Sequence, residues 1–214
     1  MTITAADYVW FYDRFPGLWE AYCLTLIQGL RPQDVVTRLN ARTEDFEPMS
    51  FEDMESAAYS GPGPYGGWPG YFFGAVALAE GCLVVEPGGA MGVNQDIIKP
   101  LSKGTRLVSH SNNNANATGY FYWLEDGEIR LGFEPLLPTM RFGSDPDGSV
   151  EAMRQAGFDL GDGDQSGTAE SEAARAGTVF ALAEYLTGVK LTEHLLEASV
   201  YLCAVAPGTT SSRP

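Results

Sequence analysis

The sequence predicts an α+β fold: a largely antiparallel sheet built from hairpins, with helices packed on it, in a single domain over residues 1–207. Three observations carry this. Short apolar segments of strand length are more numerous than an alternating βαβ series needs. Several of them are joined by tight turns, at Glu80-Gly81 and Asp126-Gly127. Helical segments with readable caps lie between and after them. With 214 residues, 44% of them apolar and 19% charged, the chain is long enough for one substantial core and is globular in composition.

The aromatic segment 8–22 (Tyr8, Trp10, Phe11, Tyr12, Phe15, Trp19, Tyr22) reads as helical at first and broken at Pro16-Gly17. Cys23-Leu24-Thr25-Leu26-Ile27 reads as a buried strand. Pro32 stands where a helix begins, since its missing N–H costs nothing there, and Val35, Val36 and Leu39 give that helix one apolar face. Ser50 caps the next, with Asp53 at the third helical position. Residues 60–70, rich in Gly and Pro, form an irregular loop. A hairpin pairs 71–79 with 82–86. Asn94 caps a helix that Pro100 shortens or kinks, and a strand follows over 105–109.

Asp126-Gly127 is a preferred two-residue turn that sets a register: 125 opposite 128, then Leu124 with Ile129, Tyr122 with Leu131 and Tyr120 with Phe133. Trp123 falls opposite Arg130, a cation–π pair. A helix begins near Ser149 and stops at Gly157. Residues 161–168 read as a flexible linker, where Asp162 and Asp164 lack the later glutamate of a calcium loop. A long helix over 169–187 ends at Gly188, and Thr192 caps a last helix with Leu191 and Leu196 as its hydrophobic staple. A strand over 200–205 closes the domain, and the tail 208–214 is expected to be disordered.

Ser102-Lys103-Gly104-Thr105-Arg106-Leu107-Val108-Ser109-His110, the Asn112–Asn116 run, the Tyr122–Glu128 hairpin and Phe133-Glu134-Pro135 occur together here. With Gly143–Asp147, Cys23–Leu26 and Leu186–Thr192 they resemble an uncharacterised family of actinobacterial proteins. The resemblance spans most of residues 8–198. It implies an actinobacterial source and carries no activity, cofactor or site. Pro100 and the 60–70 loop depart from the pattern.

The formal charge is −15. A surface this acidic repels phosphate backbones and anionic membranes, so neither nucleic acid nor membrane is an expected partner. No apolar run reaches the length of a membrane span, and no signal peptide is visible, so the expected compartment is the cytoplasm. Cys23, Cys82 and Cys203 lie far apart in apolar runs and read as buried free thiols. With only His110 and His194 beside them, no metal is expected, and no P-loop, dinucleotide fingerprint, GxSxG or HExxH motif occurs, so no cofactor is either.

One polar cluster remains. His110 ends the predicted strand and leads into the Asn-rich loop, Arg106 shares its strand face, and Glu134 ends the neighbouring hairpin. The first functional expectation is a non-catalytic, acidic binding protein, immunity- or adaptor-like, that engages a basic protein partner. The alternative is a small cofactor-independent enzyme of isomerase or cyclase type, or a ligand sensor. There His110 or Glu134 would move protons, in an aromatic pocket of Trp68, Tyr71, Phe72, Tyr120 and Tyr122. The residues expected to bind a small molecule are Arg106, Asn112, Asn114, Trp68, Tyr120, Tyr122, Arg141 and Asp145.

Overall fold

A computed structural model describes residues 3–161 and 170–208. Among the described residues the chain forms seven strands and eight α-helices. The strands are β1 (Ala21–Gln28), β2 (Gly70–Leu78), β3 (Gly81–Pro87), β4 (Arg106–Asn113), β5 (Thr118–Glu125), β6 (Glu128–Phe133) and β7 (Leu202–Pro207). They make one open sheet in the order β6-β5-β4-β1-β3-β2-β7, antiparallel throughout. The fold is α+β. No helix among the described residues is long and apolar enough to cross a membrane.

β1 is central, and both its faces are buried, which explains its near-continuous apolar run. Because side chains alternate along a strand, Tyr22, Leu24 and Leu26 enter one core while Ile27 enters the other. Over the first face lie α1 (Trp10–Arg14), α2 (Pro16–Glu20), α4 (Phe51–Ala58), α6 (Val150–Ala156), α7 (Glu170–Thr187) and α8 (Glu193–Glu197). Phe180 of α7 is the centre of this layer, its ring 4.6 Å from that of Phe11, 5.9 Å from Tyr22 and 4.6 Å from His110. The second face is covered by α3 (Pro32–Arg38) and α5 (Gln95–Leu101), through Val35, Ile97, Ile98 and Leu101.

The caps fall where the residue types put them. The Ser50 hydroxyl accepts from the Asp53 N–H at 3.2 Å, Asn94 caps α5, and Thr192 accepts from the Leu195 N–H at 3.1 Å. Gly157 and Gly188 close α6 and α7 with positive φ. Both outer edges of the sheet are covered. Phe142 bridges to Gly132, with Ser144 and Asp145 donating to β6, and Arg42 and Met49 bridge to Val205 and Tyr201 beside β7.

Three expectations are corrected. The β2–β3 turn is Ala79-Glu80, since Leu78 pairs with Gly81; Gly81 lies in the strand, where a Cβ would strike the Ile27 carbonyl. In the β5–β6 hairpin the pairs 125/128 and 124/129 form as expected, with Asp126 and Gly127 at positive φ. Arg130 is then an extra residue, and the pairs become Trp123/Leu131, Tyr122/Gly132 and Phe121/Phe133. This bulge sends Leu131 and Phe133 to the α7 face. The strand expected over 105–109 runs on to Asn113, paired on both sides, so His110 is interior rather than terminal. The linker 161–168, from Asp162 onward, and the tail after Gly208 lie outside the described residues.

Candidate functional site

The Asn-rich run builds the rim of a cleft where β1 begins, β4 ends and β5 begins. Asn112 and Asn113 are still in the ladder, opposite Tyr22 and Ala21. The chain then turns: Asn113 Oδ1 accepts from the Asn116 N–H at 3.3 Å, and Ala117 takes a left-handed conformation. Asn112 Nδ2 donates to the Trp19 carbonyl and to Asn114 Oδ1, both at 2.9 Å, fastening the turn to the end of α2. The cleft encloses about 370 Å³, with Trp19, Glu20, Tyr22, Asn112, Asn114 and Leu136 among its walls. A second hollow of about 340 Å³ shares Trp19, Glu20 and Asn114 with it and adds Tyr12 and Asp13.

Of the residues expected to bind a small molecule, only Asn112 and Asn114 meet here. His110 is 2% exposed, ringed by Tyr22, Phe121 and Phe180. Burial holds its pKa down at about 3, so the imidazole is neutral at pH 7. Its Nδ1 has no hydrogen-bond partner among the described residues. It borders a cavity of about 10 Å³ shared with Leu24, Leu83 and Ala183.

Glu134 lies just past β6. In the ladder His110 faces Phe121, and Phe121 faces Phe133, so two buried rings separate the histidine from that carboxylate. The expected His–carboxylate pair does not form. Arg106 is four residues down the strand, about 14 Å away at ~3.4 Å per residue. There it pairs with Glu125 at 2.6 Å, donates to the Leu186 carbonyl at 2.9 Å and sits over Trp123 at 5.8 Å. Arg130 covers the same indole at 6.0 Å.

The expected aromatic pocket is divided as well. Trp68 and Phe72 stack on the α7 face, with the Trp68 indole donating to the Ala57 carbonyl. Tyr71, Tyr120 and Tyr122 do not join them: β3, β1 and β4 separate β2 from β5, and Tyr71 and Tyr122 pack in the other core. Arg141 pairs with Asp147 at 2.8 Å and Asp145 with Arg130 at 3.4 Å, which tie down the loop after β6. Among the described residues no group of three or more His, Cys, Asp or Glu is arranged to hold a metal. The three thiols are free and buried.

One constellation escaped the sequence reading. Glu86, opposite Cys23 in the β1–β3 ladder, is fully buried. Its carboxylate accepts from the N–H groups of Met91 (2.7 Å) and Gly92 (2.9 Å). Alongside, Thr25 and Ser109 hydroxyls meet at 2.8 Å, and Ser109 lies 3.5 Å from the Cys23 sulfur. The readable signal was an acidic strand end followed by Gly88-Gly89-Ala90-Met91-Gly92, a run able to lay backbone N–H groups on an anion.

Burial raises the Glu86 pKa to about 7, with the two N–H bonds pulling against it. A carboxyl whose folded pKa lies above its unfolded value favours folding while it keeps its proton. Its contribution is therefore greatest below pH 4.5 and shrinks as pH rises to 7, by about 3 kcal/mol at ~1.4 kcal/mol per unit. Urea unfolding of the wild type and of Glu86→Gln at pH 5 and pH 8 should show their stability difference moving by roughly that much in favour of the variant. A difference independent of pH would remove Glu86 from the titrating groups.

Comparison with curated proteins and with solved structures finds no match. The model of DUF6461, a family of unknown function, matches residues 1–211, and the chain belongs to that family.

Proposed function

We propose that the chain is a non-catalytic binding protein that engages a basic protein partner at the cleft end of its sheet. The observation that carries this is an apolar loop on a strongly acidic chain. Leu136, Leu137, Met140 and Phe142 are all exposed, Met140 by 70%, within the seven residues 136–142. Leu136 also walls the cleft, so groove and loop are continuous. Phe142 and Tyr122 are in edge contact, and Tyr122 stacks with the exposed Tyr120, which extends the apolar surface. Adjacent exposed apolar side chains of this size commonly mark an interface, and a charge of −15 favours a basic partner.

The alternative of a small enzyme working through His110 and Glu134 is not carried forward, because those groups do not meet. The resemblance to actinobacterial sequences makes the cytoplasm of such a host the place to look. Native mass spectrometry of gently purified protein should find a basic protein bound. The complex should dissociate at high salt and weaken at least tenfold in Leu137→Ser/Met140→Ser, whose side chains carry no fold. A complex indifferent to both changes, or a bare monomer in every preparation, would count against this reading.

A further inference from the structure

The cleft has a chemical bias beyond its shape. Both N–H groups of the Asn112 amide are already used, on Trp19 and Asn114, and Asn114 Nδ2 approaches the Trp19 carbonyl at 3.5 Å. The polar lining includes the Asn112 oxygen and the exposed Glu20 carboxylate, with the Ser111 and Thr118 hydroxyls beside them and Asp13 in the adjoining hollow. No Lys or Arg among the described residues lines either hollow. Tyr22, 1% exposed, packs against Phe11, Trp19 and Phe180 and lines the cleft. Its hydroxyl has no hydrogen-bond partner among the described residues, and the surface it keeps opens on the cleft. Aromatic faces stand beside these acceptors, with Tyr12 and Trp19 edge to face at 5.5 Å.

An acceptor-rich hollow with aromatic walls and two carboxylates suits a flat cation carrying several donors. A guanidinium stacks on aromatic rings and binds carboxylates through paired N–H groups, as an ammonium does not. We propose that the two joined hollows receive an arginine side chain presented by the partner protein, its guanidinium beside Trp19 and between Glu20 and Asp13. This rests on the binding-protein reading and names the contact that gives it charge selectivity.

The test is titration of the full chain, followed by NMR, with a Gly/Ser heptapeptide carrying one central arginine. Its citrulline counterpart is isosteric and uncharged. The arginine peptide should shift the Trp19 indole N–H and the Asn112 and Asn114 side-chain amides. Citrulline should bind at least tenfold more weakly. Asp13→Asn/Glu20→Gln, both exposed and outside the core, should weaken the arginine peptide at least fivefold with an unchanged circular dichroism spectrum. Equal binding of citrulline, shifts confined elsewhere, or an unaffected double variant would overturn the proposal. Free arginine amide binding as tightly as the peptide would overturn the protein source and leave a small-molecule site. A partner complex that survives Asp13→Asn/Glu20→Gln but not Leu137→Ser/Met140→Ser would sink this inference while the binding reading stands.

Discussion

Acidification from pH 6.5 to about 3 is expected to cost the folded chain about 5 kcal/mol through His110 alone, the largest single effect foreseen here. The imidazole lies among Tyr22, Phe121 and Phe180, with no carboxylate paired to it among the described residues, and its folded pKa is about 3. In the unfolded chain it takes a proton near 6.5. A histidine with a lowered folded pKa contributes fully above the unfolded value and loses that contribution as pH falls toward the folded one. Glu86 runs the opposite way between pH 4.5 and 7, so the wild-type profile blends the two, and the variant-minus-wild-type difference is the informative quantity. For His110→Leu, which cannot protonate, that difference should move toward the variant by several kcal/mol between pH 7 and pH 4. The His110 ring resonances should also stay unchanged down to pH 4. Titration of that ring near pH 6 would mean it reaches water, and would reopen the acid–base role the sequence offered it.

Why the histidine was misread shows where local signals end. Asparagine is a turn former, so the run from Asn112 to Asn116 reads as a loop and His110 as its threshold. The ladder with β1 overrides this: Asn112 and Asn113 stay paired to Tyr22 and Ala21, and the turn starts only at Asn114. Signals that act within a few residues were legible, namely the Ser50, Asn94 and Thr192 caps and the positive φ demanded at Asp126-Gly127. The bulge at Arg130 was not. Ile129-Arg130-Leu131-Gly132-Phe133 alternates cleanly by itself, and the shift goes with contacts from elsewhere, where Phe142 packs its ring on Gly132 and Asp145 donates to the Arg130 carbonyl. The cleft was half legible. Asn112 and Asn114 could be named from the sequence, whereas Trp19, Glu20 and Tyr22 belonged to an aromatic segment, helical at first and broken at Pro16-Gly17, that gave no sign of a cleft.

Gly92→Ala is expected to destabilise the fold by about 3 kcal/mol, lowering the melting temperature by roughly 10 °C for a chain of this length. Backbone freedom is not the reason, since Gly92 is not among the positive-φ glycines. A Cβ there would come 2.6 Å from the Ser109 hydroxyl and 2.7 Å from the Cys23 sulfur, and closer still to Thr25 Oγ1. All three belong to buried strand residues, so relief means lifting the turn. Lifting it pulls the Met91 and Gly92 N–H groups from Glu86 and deprives a buried carboxyl of its two backbone donors, which adds to the steric cost. Gly104→Ala is the matched contrast. Gly104 has φ +69° but open space around it, so its loss is backbone strain of about 1 kcal/mol. Trimming a neighbour should recover part of the damage: Gly92→Ala/Thr25→Ala is expected to be more stable than the sum of the single changes by at least ~1 kcal/mol. If Gly92→Ala proves no worse than Gly104→Ala, the turn does not press on the β1–β4 cluster, and the hydrogen bonds that keep Glu86 buried lose their support.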